Sequence, residues 1–139
     1  MYLNCKTNFS IRYGTYTTKE LVESASEIFV NSLALTNINN SCECWNFVDY
    51  CRKQNIKPIL GTEIRNGDQF CYILIAATNN GFRWINKFLS HHLLSKFKFP
   101  SKVIEQPFFE KPEDIFVVYS LQGKELDHWR TAGNECCGV

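Results

Sequence analysis

Apolar residues recur along the chain at two spacings, which predict short strands separated by amphipathic helices. The alternating segment Tyr2–Cys5 predicts a first strand, and the polar residues up to Thr17 predict a long loop after it. Thr17 and Glu20 fit a capping box that begins a helix. The apolar face predicted for this helix consists of Leu21, Val22, Ala25, Ile28 and Phe29.

The following stretch predicts a buried strand, a helix and a further strand. Residues 32–36 form a short apolar run that ends in asparagines, which is typical of a parallel strand that opens into a loop. A helix is predicted from about residue 41 to residue 54, and residues 58–64 predict the next strand. The apolar stripe of this helix comprises Cys44, Trp45, Phe47, Val48 and Cys51.

The dipeptide Asn66-Gly67 is the strongest hairpin signal in the sequence. It separates two strand-like segments, residues 59–65 and 69–76. A type I′ turn needs positive φ at both central residues, which asparagine and glycine tolerate. These two strands are therefore predicted to pair antiparallel.

The rest of the chain predicts one more helix and two more strands. The helix follows Asn79-Asn80-Gly81, and a basic, proline-broken segment covers residues 95–112. Residues 115–119 predict a buried strand, and residues 136–139 predict the beginning of another. The apolar face of the helix is predicted to contain Phe82, Ile85, Phe88, Leu89 and Leu93.

This order of elements predicts an α/β protein whose strands are mostly parallel, with one hairpin near residues 66–67. In such sheets and barrels, chemistry takes place beyond the C-terminal ends of the strands. The positions to consider are therefore residues 4–6, 36–40 and 62–65.

Composition and charge narrow the class of protein. The 139 residues, of which 45% are hydrophobic, predict one globular domain. A net charge of +1 gives no overall attraction to nucleic acid or to an anionic membrane. The chain lacks an apolar stretch of about 20 residues and a signal-like start, so we expect a cytoplasmic protein.

Seven cysteines occur without the regular spacing of a disulfide framework. We expect reduced, mostly buried thiols, because no secretion signal accompanies them. A zinc site that joins the pair at 42 and 44 to Cys136-Cys137 is an alternative, although structural zinc pairs usually leave two to four residues between their ligands.

Four segments, in order and in register, resemble the PHP (polymerase and histidinol phosphatase) domain at the N-terminus of the bacterial DNA polymerase III alpha subunit. The resemblance is clear from residue 2 to about residue 90 and weaker to residue 139. The segments are YLNCKTNFS at 2–10, LALTNINN at 33–40, NIKPILGTE at 55–63, and LIA at 74–76 with NGF at 80–82.

The resemblance implies that residues 1–139 form the N-terminal portion of a distorted β/α barrel. A complete β/α barrel usually needs about 200 residues or more. We therefore expect a partial PHP-like domain, either a fragment or a shortened product, with the rest of the barrel beyond residue 139.

The resemblance also implies where a cluster of divalent metals would lie. Intact members use a His-x-His pair, an Asp-His pair, a glutamate and a further histidine. Of the corresponding positions, Glu63 alone keeps an ordinary ligand, so the departures predict no metal cofactor, no catalytic residue and no phosphoester hydrolysis. The positions in this sequence are Asn4, Lys6, Asn37, Ile38, Glu63 and Cys71.

A buried carboxylate without its metals needs another partner. We hypothesise that the ammonium of Lys6 lies near the former metal position and pairs with Glu63, while Asn4 and Asn37 supply neutral hydrogen bonds. The alternative is that Lys6 and Glu63 both lie in solvent.

The resemblance implies a scaffold domain in a DNA polymerase III alpha chain, and hence a role in DNA replication. Nucleotidyl transfer would belong to the whole polymerase, since its acidic site has no counterpart here. The implied partners are the remaining polymerase chain and the proofreading exonuclease, with DNA reached only through the full polymerase. The alternatives are a stand-alone PHP phosphoesterase and a small protein-binding module.

Other candidate groups lie outside these segments. His91-His92 is predicted to end a helix, where a basic pair offsets the helix dipole or binds a ligand, and His128 has no evident partner. A basic, aromatic segment predicts either a solvated surface or a contact with single-stranded DNA or protein. It contains Arg83, Lys87, Lys96, Lys98 and Lys102, with Phe97 and Phe99.

Overall fold

The computed structural model describes residues 1–103 and 113–120 in full and the backbone of residues 135–138. The basic segment beyond residue 103, the polar stretch 121–133 with His128, and the side chains of Cys136-Cys137 lie outside the described residues. In chain order the elements are β1 (Tyr2–Cys5), α1 (Thr18–Glu27), β2 (Ser32–Leu35), α2 (Cys44–Lys53), β3 (Lys57–Asn66), β4 (Gln69–Ala76), α3 (Asn79–Ser95), β5 (Ile115–Ser120) and β6 (Glu135–Gly138).

The strands form one sheet of six in sequential order, from β1 to β6. Strands β1, β2 and β3 pair in parallel, as do β5 and β6, while β4 is antiparallel to both β3 and β5. Among the described strands, only β4 runs against the rest. The prediction of an α/β fold with mostly parallel strands is confirmed, and the sequential order is that of a barrel-type sheet.

Helix α1 begins as predicted but ends earlier. The capping box is present: the Thr17 amide donates to Glu20 Oε2 at 2.8 Å, and the Glu20 amide donates to Thr17 Oγ1 at 3.3 Å. The predicted burial of Ile28 and Phe29 is wrong, because these residues follow the helix and are 61% and 89% exposed. Phe29 adopts a φ of 56°, which turns the chain away from the helical face.

Helices α1 and α2 pack against each other, and α2 contacts β2 and β3. Trp45 was predicted on the buried stripe of α2, but it is 82% exposed. The helix begins only at Cys44, after Glu43 in the left-handed region, so the first turn carries Trp45 away from the core. The core consists of Val22, Ala25, Val30, Leu33, Leu35, Phe47, Cys51 and Ile56.

The β3–β4 connection is the predicted hairpin with a different turn. Asn66 pairs with Gln69, so the two-residue loop is Gly67-Asp68. Positive φ occurs at Gly67 and not at Asn66, which is the pattern of a type II′ turn rather than the expected type I′. Asn66 instead uses its side chain: its Nδ2 donates to the Phe99 carbonyl and its Oδ1 accepts from the Phe99 amide, both at 2.9 Å.

Helix α3 covers β3, β4 and β5 and forms a second core. Thr78 caps it, with Oγ1 accepting from the Gly81 amide at 3.2 Å. Leu93 was predicted on the buried face, but it is 52% exposed. The core consists of Ile64, Tyr72, Leu74, Ile85, Phe88, Leu89, Phe99, Val103, Ile115, Val117 and Tyr119.

Five cysteines have described side chains, and all five are free thiols. Only Cys51 among them is buried, so the expectation of mostly buried thiols is wrong for this part of the chain. Burial raises the pKa of Cys51 to about 12 and raises the pKa of Cys5. These two thiols are therefore protonated and unreactive near neutral pH.

No helix among the described residues has the length and apolar character needed to cross a bilayer.

Candidate functional site

The candidate site lies where β1 and β2 end beside the second half of β3. The Glu63 amide donates to the Asn37 carbonyl at 3.2 Å, and the Asn39 amide donates to the Glu63 carbonyl at 2.8 Å. Ile38 forms a parallel bridge with Glu63 between these two bonds. The backbone of β3 is thereby fixed against the residues that follow β2, which holds the Glu63 side chain at the mouth of the sheet.

The carboxylate of Glu63 is buried and fully engaged. Glu63 is 1% exposed, and its Oε2 lies 2.7 Å from Lys6 Nζ. Asn4 Nδ2 donates to the same oxygen at 3.1 Å. The other oxygen, Oε1, accepts a hydrogen bond from Arg65 Nε. Each carboxylate oxygen therefore has a cationic donor.

Asn4 joins the ammonium and the carboxylate into one network. Its Oδ1 accepts from Lys6 Nζ and from Thr36 Oγ1, both at 2.9 Å. These two donors fix the orientation of the amide, so its Nδ2 is directed to Glu63. The loop after β1, the end of β2 and the middle of β3 are thus linked by one set of polar contacts.

The pKa of Glu63 is shifted by two opposing effects. Burial raises the pKa of this carboxyl, since the charged form loses solvation. Hydrogen bonds from Lys6, Arg65 and Asn4 lower it, as does the charge of Lys6. The stabilising contacts prevail, and the pKa of Glu63 lies below its ordinary value. The group is a carboxylate at neutral pH, and with two cations beside it the cluster carries a net positive charge.

Asn37 was expected to support the carboxylate, and the structure gives it a different role. Its Oδ1 accepts from the Thr7 amide at 2.9 Å, from Thr7 Oγ1 at 3.1 Å and from Ser10 Oγ at 3.0 Å. Its Nδ2 is buried and has no hydrogen-bond partner among the described residues. Asn37 therefore anchors the loop after β1, the loop that carries Lys6, instead of contacting Glu63.

Ile38 and Cys71 are the other two positions that correspond to metal ligands of the family, and they offer little to a metal. The Ile38 side chain is aliphatic, and its amide donates to Ser10 Oγ at 2.9 Å. Cys71 lies on β4, where its Sγ accepts from Asn66 Nδ2 at 3.5 Å and the residue packs against the second core. The structure thus brings Asn4, Lys6 and Glu63 into one cluster and gives Cys71 other neighbours.

Arg65 lies in the range 62–65 that the strand ends indicated, but its pairing with Glu63 was not predicted from the sequence. Residues 63 and 65 of one strand point to the same face, and this spacing was the available signal. The guanidinium lies 4.3 Å from the centre of the Tyr13 ring, and the Tyr13 hydroxyl donates to Asp68 Oδ1 at 3.0 Å. Tyr13 thereby holds the loop after β1 over Arg65 and the hairpin turn.

The donor set does not fit a divalent metal cluster. An ammonium repels cations, an isoleucine has no donor, and an amide carbonyl is a weak ligand already used by Lys6 and Thr36. Among the described residues, no group of three or more histidine, cysteine or acidic side chains could hold a metal ion. The chemistry this arrangement supports is electrostatic cross-linking of strands.

Fold and site together define a barrel-type α/β domain with an ion-pair cluster at the mouth of its sheet. The PHP domain family model matches residues 3–128, which is most of the chain. The chain belongs to the PHP domain family.

The chain is also similar to two individual proteins, one in sequence and one in fold. The chain is 36% identical over 62 residues to the DNA polymerase III subunit alpha of Chlamydia muridarum, a match that covers 45% of this chain and 5% of that protein. The fold resembles a crystal structure from Bifidobacterium adolescentis named as a "putative metal-dependent phosphoesterase", with a TM-score of 0.55 and 13% identity. That match covers 98% of this chain and 76% of the other, and at this identity it shows the fold alone.

Proposed function

We propose that this chain acts as a metal-free PHP scaffold domain within a DNA polymerase III alpha polypeptide. Support comes from the family membership and from the similarity to the Chlamydia subunit. Because the match spans a small part of that subunit, nucleotidyl transfer would belong to the remaining polypeptide. The proposed partners are that polypeptide and a proofreading exonuclease, and DNA is reached through the full polymerase.

One observation carries the metal-free part of this proposal. The Glu63 carboxylate, which occupies the family's ligand position, accepts from Lys6 and Asn4 at one oxygen and from Arg65 at the other. A metal ion would have to displace a bonded cation from a buried carboxylate, which would leave the displaced charge without its partner. The ion pair of Lys6 with Glu63 links the loop after β1 to β3, which is the cross-linking that a metal cluster otherwise provides.

The size of the native polypeptide tests the scaffold proposal. An antibody raised against residues 1–103 would be used on extracts of the source cells, followed by peptide mass mapping of the reactive band. A band several times heavier than the chain, with peptides of a polymerase body, is the expected result. A band of the size of the 139-residue chain would contradict the proposal and favour a small binding module.

The similarity of fold to the Bifidobacterium structure favours a stand-alone phosphoesterase as the second candidate. This candidate predicts turnover of a chromogenic phosphodiester in the presence of Mn²⁺ or Zn²⁺. Our proposal predicts equal background rates for the wild-type chain and the Glu63→Gln variant. Turnover by the wild type that disappears in Glu63→Gln would establish the phosphoesterase instead.

A further inference from the structure

A cavity adjoins the candidate site at Arg65 and lies between the β3–β4 turn and the end of α3. Its volume is about 410 Å³. Three cationic residues line it, Arg65, Lys96 and Lys98, and no acidic residue is present among its described lining residues. The volume is within the range of about 300 to 1,000 Å³ that small-molecule sites occupy.

The residues of this cavity are held in place by the fold. Lys96 ends α3 in the left-handed region, with a φ of 56°, and the chain then returns toward the hairpin. Asn66 fixes the returning segment through its two hydrogen bonds to the backbone of Phe99. Lys98 therefore belongs to a segment tied to β3, and the site does not depend on a free loop.

Two acidic residues lie near the cavity. Glu63 pairs with Lys6 and with Arg65, so the charge of Arg65 is largely offset and Lys96 and Lys98 are the cations in excess. Asp68 in the turn accepts from the Tyr13 hydroxyl at 3.0 Å, and its carboxylate lies 4.0 Å from Arg12. The carboxyl end of α3 adds a partial negative charge of about half an elementary charge, which the two lysines outweigh. The cavity is electropositive in a chain that has almost no net charge.

Two rings add features that simple charge does not explain. Phe97 lines the cavity and is 57% exposed, so one large aromatic side chain is available to a ligand. His92 also lines it and is 5% exposed.

His92 differs here from the sequence prediction. It packs between Phe88 and Phe99, with ring centres 4.6 and 4.9 Å away, and does not lie on the surface as a cation near the helix end. Burial and the neighbouring His91 lower its pKa, and backbone groups at residues 97 and 98 oppose part of this effect. These effects favour the uncharged form of His92, whose ring packs into the core at this end of α3.

We infer that this cavity binds a nucleoside phosphate, with the phosphate near Arg65, Lys96 and Lys98 and the base stacked on Phe97. Guanidinium and ammonium groups are strong donors to phosphate oxygens. Aromatic side chains beside cations are the usual means by which proteins bind single-stranded nucleic acid. The ligand is a free nucleotide or a nucleotide of single-stranded DNA, which share this chemistry. The inference goes beyond the proposed scaffold role and does not depend on it.

Fluorescence anisotropy with a 3′-labelled decathymidylate tests the site on the full 139-residue chain. The test variant is Lys96→Gln/Lys98→Gln. Lys57→Gln/Lys87→Gln is its matched control, since it removes the same charge at two exposed lysines outside the cavity lining. Phe97→Ala tests stacking separately.

Unlabelled thymidine monophosphate is added as competitor. Complete competition would identify a free nucleotide as the ligand, whereas weak competition would identify the DNA strand.

The expected result is binding by the wild type that falls at least tenfold in Lys96→Gln/Lys98→Gln and is unchanged in the control. The slope of log K against log salt should decrease in magnitude by about 1.4, because each lost phosphate contact to a single strand contributes about 0.7. Phe97→Ala should weaken binding by about fivefold or more, since stacking contributes roughly 1–3 kcal/mol per base. Absence of wild-type binding at low salt, or equal loss in the control, would overturn the inference.

Discussion

Lys6 and Glu63 form a close ion pair between the loop after β1 and strand β3, with 2.7 Å between Nζ and Oε2. The lysine side chain is 14% exposed and the glutamate side chain 1% exposed. The carboxylate is thus the buried partner, and the ammonium reaches it from the side of the loop. In a buried pair of this kind, loss of one partner costs far more than loss of a surface ion pair.

A double-mutant cycle with Lys6→Met and Glu63→Gln measures this pair. Lys6→Met should lower the free energy of unfolding by about 2 kcal/mol, less than the roughly 3–5 kcal/mol of a fully stranded charge because Arg65 and Asn4 remain. The coupling energy should be about 1–2 kcal/mol in urea denaturation.

The matched control for this cycle is the exposed pair of Lys53 and Asp49, whose charged atoms lie 2.6 Å apart on α2. Both side chains are more than half exposed, so their coupling should be close to unmeasurable. Additive losses for Lys6 and Glu63, as expected for side chains in solvent, would refute the buried pair.

The lowered pKa of Glu63 predicts a pH dependence of stability. Its contribution is fully present above the unfolded-state pKa of about 4.3 and is lost as the pH falls through the lower pKa of the folded state. Between about pH 5 and pH 3, the wild type should therefore lose more unfolding free energy than Glu63→Gln. Guanidinium denaturation at each pH measures this difference, and parallel curves would show that Glu63 has an ordinary pKa.

Loss of the Asn37 side chain, which anchors the loop after β1, should lower the free energy of unfolding. Asn37→Leu removes the acceptor of the Thr7 amide and of the Thr7 and Ser10 hydroxyls, in a region that is almost fully buried. The variant should lose about 3 kcal/mol of unfolding free energy. Asn46→Leu, at an exposed position of α2, should change it by less than about 0.5 kcal/mol. Thermal and urea unfolding measure both variants. Equal losses for Asn37→Leu and Asn46→Leu would contradict the anchoring role.

Substitution of Gly14 or Gly67 is expected to cause different kinds of strain, a steric clash at Gly14 and an unfavourable backbone angle at Gly67. A Cβ at Gly14 would lie 2.0 Å from the Thr7 carbonyl oxygen and 3.1 Å from the Lys6 carbonyl carbon. Gly14→Ala should therefore move the loop that carries Lys6 and cost about 3 kcal/mol of unfolding free energy.

Gly67 is the control for this change, because a Cβ there would meet nothing within 4 Å and only its φ of +61° is unfavourable. Gly67→Ala should cost about 1 kcal/mol. If Gly14→Ala proved as mild as Gly67→Ala in urea denaturation, the close packing of Gly14 against Lys6 and Thr7 within the loop would be refuted.

The sequence predicted the order of elements because apolar spacing follows directly from strand and helix periodicity. Errors occurred where backbone turns decide exposure. Phe29 and Trp45 fit their helical stripes, but the left-handed residues at 29 and 43 end α1 and begin α2 so that both rings point outward. The hairpin turn also differed from the prediction. The Asn66 side chain hydrogen-bonds to the backbone of Phe99, and positive φ occurs at Gly67 instead of Asn66.

The site was only partly accessible to sequence reasoning. The resemblance indicated which strand ends would meet, but it could not assign hydrogen bonds among several amides of similar chemistry. Asn37 contacts Thr7 and Ser10 because the loop after β1 folds back over it. The sequence placed Arg65 at a strand end but did not indicate that it would pair with Glu63.

Equilibrium binding of Mn²⁺ to the full chain, followed by electron paramagnetic resonance of the free ion, tests the metal-free site most directly. We expect the wild type and Glu63→Gln to leave the same free Mn²⁺ signal near neutral pH, because Lys6 and Arg65 occupy the carboxylate. Saturable binding by the wild type that is lost in Glu63→Gln would contradict this expectation and would place a working metal ligand at Glu63.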